Sequence, residues 1–287
     1  MTQDILAAIQ SGMSGFSKGQ RLIAGYIINN YDKAAFLTAS KLGKTVGVSE
    51  STVVRFAVEL GFDGYPSMQK ALQEMIRSKL TSVQRLEVAN NRMSEQDIAG
   101  SILQSDVEKI RLTIDELDRT AFDNAVKEIL SAKHIYLVAL RSSSSLASFF
   151  GFYLSLMFDN VRVVNTPSTS EMFEQLLHVG SEDVVVAISF PRYSSRTAKA
   201  VRFARDRGAK VISITDSKSA PVAEFADDVL IAKSDMVSFV DSLVAPLSLI
   251  NALIVAIGRE KYGEVSVTFS ELERIWEEYG VYEKVHK

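Results

Sequence analysis

Three runs of hydroxyl residues follow short segments rich in Val and Ile. They are Arg141-Ser142-Ser143-Ser144-Ser145, Ser189-Phe190-Pro191-Arg192-Tyr193-Ser194-Ser195-Arg196-Thr197 and Thr215-Asp216-Ser217-Lys218-Ser219. Serine and threonine hydroxyls beside the free N–H groups of a helix N-terminus form a cradle for an anion. Arg141, Arg192 and Arg196 add guanidiniums able to grip such a group bidentately. Phosphate is the natural occupant. Ser and Thr also cap helices wherever helices begin, so one such run alone reads as a set of caps. Three runs at matching places after their strands read as one site. The first run is not a P-loop, because it lacks the Gly-Lys pair. The candidate ligand-binding residues are Arg141, Ser142, Ser143, Ser189, Arg192, Ser194 and Ser195.

Proton-transfer chemistry needs a base beside the ligand. The chain has three histidines. His134 precedes the first apolar run, His178 follows a helical segment, and His286 lies in the tail. None is expected at the ends of the strands. Glu171 is the best base candidate, since it opens the helix after the second strand. Ser168-x-x-Glu171 is equally the spacing of a capping box. No group of His, Asp and Glu has metal-ligand spacing. The chain has no cysteine, which excludes disulfides, thiolate zinc sites and a Cys nucleophile. No catalytic residue, metal or cofactor is assigned.

The hydroxyl runs need a scaffold. The segments IYLVAL (135–140), VRVV (161–164), DVVVAIS (183–189), KVISIT (210–215) and DVLIA (228–232) read as strands buried on both faces, as in a parallel sheet. Amphipathic segments Ser144–Phe158, Glu171–Leu177, Ser195–Arg207 and Pro221–Ala226 lie between them and read as crossover helices. The result is a five-stranded α/β domain. In such a domain ligands sit at the carboxyl ends of the strands, near a switch in strand order. A long apolar helix, about Asp241 to Tyr262, closes it. Thr268-x-x-Glu271 then reads as a capping box, followed by the stripe Leu272, Ile275, Trp276 and Tyr279. That last helix must pack on the same body or on a second subunit.

Residues 1–80 show helical periodicity only. Ile5, Ala8 and Ile9 form a short face, and a helix over about Lys18–Asn30 turns Leu22, Ile23, Tyr26 and Ile27 inward. The stretch Leu37 to Phe62 reads as two short helices joined by a tight turn. Gly43 is small where the two helices touch, and Gly47 supplies the turn's backbone freedom. Ser49 is placed as an N-cap, and Val53, Phe56, Ala57 and Leu60 make one apolar face. Ser49, Glu50, Ser51, Thr52 and Arg55 lie on the other face, with Lys44 on the helix before. A polar face at a helix N-terminus is what enters the DNA major groove. The same spacing also suits an ordinary helical hairpin. Pro66 opens a further helix that carries Met68, Leu72, Met75 and Ile76. Residues 81–105 are polar and read as a partly helical linker, and Ile110, Ile114 and Leu117 mark the next helix.

With 287 residues, 47% hydrophobic and 23% charged, the chain has ample core for two domains. Residues 1–80 carry 9 basic and 6 acidic side chains, and residues 81–287 carry 23 and 29. A basic head on an acidic body suits a nucleic-acid module joined to an effector domain. No basic, apolar leader opens the chain, and its longest apolar stretch, Leu243 to Gly258, is too short and polar to span a membrane. The expectation is a cytoplasmic protein with no membrane partner.

The run Ser49-Glu50-Ser51-Thr52-Val53-Val54-Arg55-Phe56, with Leu60-Gly61-Phe62-Asp63-Gly64-Tyr65, resembles the helix-turn-helix of RpiR-family transcriptional regulators. Arg207-Gly208-Ala209-Lys210-Val211-Ile212-Ser213-Ile214-Thr215 and Ser219-x-Pro221-x-x-x-x-Ala226-Asp227 resemble the family's sugar isomerase (SIS) domain, a flavodoxin-like phosphosugar-binding fold. The resemblance implies a helix-turn-helix domain over 1–80, a linker over 81–105, a SIS domain over 106–265 and a C-terminal helix over 266–287. It also implies operator DNA and a phosphorylated sugar effector as partners. Reading two half-sites implies a homodimer or homotetramer. Two loops depart from the family. Its G-x-G-x-S after the first strand is Ala139-Leu140-Arg141-Ser142-Ser143 here, and its S-x-S-G-x-T after the third is Ser189-Phe190-Pro191-Arg192-Tyr193-Ser194. Arg192 then either binds phosphate directly or fills the pocket and alters ligand size. SIS domains also occur in aldose–ketose isomerases, so an isomerase with an accessory helical domain is the alternative.

Overall fold

The computed structural model describes residues 5–79, 81, 83–84, 86, 97–234 and 240–283. Most of the polar segment VANNRMSEQD, the side chain of Ile76, and His286 lie outside the described residues. The chain divides into two compact units, Met1–Ile102 with Met236–Asp241, and Leu103–Asp235 with Ser242–Lys287.

The first unit is built from α1 (Ile5–Gly12), α2 (Lys18–Asn29), α3 (Tyr31–Ala34), α4 (Ala39–Val46), α5 (Glu50–Glu59) and α6 (Tyr65–Lys79). Ile9, Ile23, Ile27, Leu42, Phe56 and Met68 meet in one core. Ser17 starts α2 with a full capping box closed by Gln20. Leu22, expected inward, is exposed. The helix instead buries Gln20, Ile23, Ala24 and Ile27. Gln20 is tolerated there because its amide donates to the Glu59 carboxylate at 2.6 Å.

Helix α7 (Ile98–Asp115) starts in the first unit and continues in the second. It does not bury Ile114 as its periodicity predicts, but Lys109 and Thr113. The Lys109 ammonium donates to Ser105 Oγ and pairs with Asp106, both at 3.1 Å. Thr113 Oγ1 accepts from the Lys233 N–H at 2.9 Å. A polar seam thus replaces the apolar one, and its groups are paired rather than stranded.

After α8 (Arg119–Ser131) come β1 (Ile135–Ala139), α9 (Ser144–Ser155), β2 (Val161–Val164), α10 (Thr169–Gln175), β3 (Val184–Ile188), α11 (Ser195–Asp206), β4 (Lys210–Thr215) and β5 (Asp228–Ile231). All pairings are parallel, in the order β2-β1-β3-β4-β5. Strand alternation sends Ile135, Leu137 and Ala139 to one face with residues of α8, α9 and α12 (Val244–Glu260). Tyr136 and Val138 go to the other face with residues of α10 and α11. Helices on both faces explain why β1 and β3 are buried at every position. At the edge, β2 departs from that expectation and exposes Arg162, since one side of an edge strand lacks a neighbour. Asp227, just before β5, accepts from the Val211 N–H at 2.9 Å and pairs with Arg205. Burial opposes its ionisation, but Val211, Arg205 and Lys210 outweigh that and hold its carboxyl below the usual range.

Two expected helix positions need correction. Pro221–Ala226 is a run of turns bonded three residues apart, such as Ala223 N–H to Ala220 C=O at 2.8 Å. The C-terminal helix is α13 (Tyr262–Glu278), so Thr268 is not its cap. Thr268 lies inside the helix, its hydroxyl turned back to the Glu264 carbonyl at 3.2 Å. No described helix is long and apolar enough to cross a membrane.

Candidate functional site

The first site is on the helix-turn-helix. Gly47 ends α4 with φ 75°, in the left-handed region that favours glycine. A Cβ on Gly43 would stand 2.8 Å from the Val48 carbonyl oxygen, so only glycine lets α4 approach the turn this closely. Ser49 caps α5 by accepting from the Thr52 N–H at 3.3 Å. Its hydroxyl also lies 2.9 Å from Ser51 Oγ and 2.8 Å from Thr52 Oγ1. Val53, Phe56 and Ala57 are buried, while Lys44, Ser49, Glu50, Ser51 and Arg55 are exposed and Thr52 is half-buried. The segment before α4 is held from behind. The Tyr65 phenol donates to the Leu37 carbonyl at 2.6 Å, and Gln69 donates to the same oxygen at 2.8 Å. Burial pushes the Tyr65 pKa up to about 12, so it remains a donor across the physiological range.

The second site is the carboxyl edge of the sheet. The order β2-β1-β3 places its switch point between β1 and β3. Ala139 pairs with Ile188, so the runs 141–145 and 189–197 leave adjacent strands at the same edge. The hydroxyls divide by role. Ser144 donates to the Arg141 carbonyl at 2.6 Å and Ser145 to the Ser142 carbonyl at 2.8 Å. Ser143 is buried at the N-cap of α9, but its side chain makes no capping bond. Ser189 is buried at the end of β3. Ser194 caps α11 by accepting from the Thr197 N–H at 3.4 Å, and Ser195 is exposed. Arg196 donates to the Pro167 carbonyl. Tyr193 donates to Asp216 at 2.8 Å and so ties the loop after β3 to the loop after β4. In that third loop, Ser217 and Ser219 bond each other at 2.8 Å.

Two features go beyond the sequence reading. Thr197 is fully buried in the first turn of α11, and its hydroxyl has no hydrogen-bond partner. Only its place three residues after the cap Ser194 could have drawn attention to it. Arg141 and Arg192 also stand at positive φ, 59° and 66°. Each costs about 1–2 kcal/mol relative to an ordinary conformation.

The acid–base candidates are accounted for elsewhere. Glu171 accepts from the Thr166 hydroxyl and, on its other oxygen, from Gln175 at 3.2 Å. The capping box is half formed: Ser168 Oγ accepts from the Glu171 N–H, but the Ser168 N–H donates to Thr166 Oγ1 at 3.1 Å instead of to Glu171. His134 lies 2.8 Å from Asp183, just before β1 and β3, at the edge away from the hydroxyl runs. His178 is exposed between α10 and β3.

Comparison with known proteins agrees with both halves. Residues 3–79 match the model of the rpiR-family helix-turn-helix domain, and residues 128–256 match the SIS domain model. An uncharacterized HTH-type transcriptional regulator of Clostridium perfringens is 24% identical over 266 residues, 91% of this chain and 94% of that one. The HTH-type transcriptional regulator HexR of Escherichia coli is 27% identical over 228 residues, 78% of this chain and 75% of its own. Among solved structures, the sugar isomerase domain of an RpiR transcription factor from Sphaerobacter thermophilus superposes with a TM-score of 0.59 at 25% identity. It covers 62% of this chain and 99% of that one. The Vibrio vulnificus NanR protein complexed with ManNAc-6P gives a TM-score of 0.57 at 22% identity, covering 95% of this chain and 98% of that one. The chain belongs to the RpiR family of transcriptional regulators, with an N-terminal helix-turn-helix and a C-terminal SIS domain.

Proposed function

We propose that this regulator reads operator DNA with α5 and is controlled by a phosphorylated sugar held at the β1/β3 switch point. The observation that carries the reading is the pair of helix N-termini, α9 and α11, which open from adjacent strands and carry Ser143, Ser189, Ser194 and Thr197 between them. Backbone N–H groups and hydroxyls in that arrangement suit a phosphate. A protein of the same fold, NanR, is complexed with ManNAc-6P, which supports a phosphorylated sugar as the class of effector. Glu171 and His134 are engaged in structural bonds, which favours a sensor over an isomerase. The working form is a homodimer or a dimer of dimers in the cytoplasm.

Thermal-shift and calorimetric screens with phosphorylated sugars test it. A ligand at 100 times its Kd raises stability by about 2.7 kcal/mol. Ser143→Ala and Ser194→Ala are each expected to weaken that ligand about tenfold, the loss of one charge-assisted hydrogen bond, while operator affinity without ligand stays unchanged. Ligand affinity unchanged from the parent chain in both variants removes the site from this edge. Turnover of the ligand supports the isomerase instead.

A further inference from the structure

Among the described residues of α1 to α6, the large apolar side chains left exposed are Leu22, Val54 and Val58. Two of the three lie on α5, the second helix of the helix-turn-helix. Val54 is 38% exposed and Val58 56%. Being four residues apart, they stand one above the other along the helix. Ser51 and Arg55, both exposed, share that side of α5, while Val53, Phe56 and Ala57 hold the other side in the core. Valine is β-branched and forms helix less readily than alanine, lysine or glutamate, so helix propensity does not favour it at exposed positions. The hydroxyls at the start of α5 bond among themselves, Ser49 Oγ with Ser51 Oγ at 2.9 Å and with Thr52 Oγ1 at 2.8 Å. The Thr52 methyl is turned towards α2, where it would stand 3.4 Å from a Cβ on Gly19. Beyond that cluster, the outer side of α5 presents one cation, Arg55, and the apolar line from Val54 to Val58.

The base edges in the major groove present one apolar group, the C5-methyl of thymine. We infer that Val54 and Val58 pack on thymine methyl groups of the operator and fix the positions at which a thymine is required. Such a contact takes apolar surface of both partners out of water. A cytosine in the same place presents an N4 amino donor instead of a methyl, and a valine leaves that donor without a partner. Val54 is in the second turn of α5, close to the N-terminal end that enters the groove, and Val58 is one turn further on. This inference rests on the reading that α5 enters operator DNA, and it names what the helix recognises there.

The test uses DNA duplexes that the full chain enriches from a random-sequence pool. Each thymine of the enriched site is replaced in turn by deoxyuridine, which keeps the pairing and the O4 acceptor and lacks only the methyl. The proteins are the parent chain, Val54→Ala, Val58→Ala and the double substitution. Both valines are exposed and alanine is the better helix former, so the variants are expected to fold with a Tm close to that of the parent. The parent chain is expected to lose about fourfold in affinity for each contacted methyl that is removed. The double variant is expected to bind the thymine duplex more weakly and to bind its deoxyuridine counterpart equally well. The single variants then assign each methyl to its valine. Equal parent affinity for thymine and deoxyuridine at every position overturns the inference. A methyl preference that survives in the double variant also overturns it, because another residue or the shape of the DNA then reads the thymine. A double variant that sediments differently from the parent, with its response to deoxyuridine unchanged, overturns it in favour of a protein cover over the two valines. In each of these cases, a site preference altered by Arg55→Ala keeps α5 as the reading helix. Enrichment of no sequence by the full chain overturns both readings.

Discussion

Arg55 illustrates how a residue on the reading helix is prepared. Its Nε donates to the Ser51 carbonyl at 3.3 Å, and the side chain is otherwise exposed beside Ser51. Replacing it with alanine removes no core contact, so the fold is expected to persist. If Arg55 contacts a base edge, Arg55→Ala costs roughly 1–3 kcal/mol of discrimination at one operator position. Footprinting across variant operators measures this, and an unchanged sequence preference assigns Arg55 to a phosphate or to the fold. The polar set Ser49 to Arg55 was legible in the sequence because its opposite face, Val53, Phe56 and Ala57, has a helical period. The serine runs were legible only as a group. Ser143 and Ser144 are the same residue type one step apart, yet Ser144 is spent on the Arg141 carbonyl while Ser143 makes no capping bond. That difference depends on the three-residue turn at Arg141–Ser143, which no side-chain pattern announces.

At the scale of elements, strands and turns follow strong local signals. Gly43, Gly47 and the five Val- and Ile-rich runs place the helix-turn-helix and the sheet without tertiary information. The readings that failed rest on patterns with two meanings. Thr268-x-x-Glu271 is a capping box only if a helix starts there. Here α13 begins at Tyr262, after α12 ends at Glu260, and the pattern falls inside the helix. Helix α13 has no buried residue over its 17 positions, and its apolar side chains are at most half-buried. Val255 on α12, with Tyr262 and Val267 on α13, is exposed at 69%, 75% and 72%. Most of a helix's stability in a protein comes from packing its apolar face. A second copy of the chain is the proposed cover. Each such valine contributes roughly 1.5–3 kcal/mol when fully buried. Val267→Glu is therefore expected to shift the protein towards monomer in sedimentation velocity at micromolar concentration, with little change in its secondary structure. A parent chain that already sediments as a monomer contradicts the dimer.

At the scale of the whole molecule, a DNA-reading unit and a ligand-holding unit share one chain, and α7 runs from one into the other. Regulation then means a coupling free energy between the two sites, and such coupling is reciprocal. Whatever factor the effector applies to operator affinity, the operator applies to effector affinity. Typical couplings are about 1–3 kcal/mol, or roughly 5- to 150-fold. The direction sets whether ligand releases or strengthens DNA binding, and either sign satisfies the account. The most direct measurement is a calorimetric titration of the best-binding phosphorylated sugar into the protein alone and into its saturated operator complex. The account predicts two ligand affinities about fivefold or more apart, with the same factor found when operator is titrated with and without ligand. Equal ligand affinities in the two titrations contradict it.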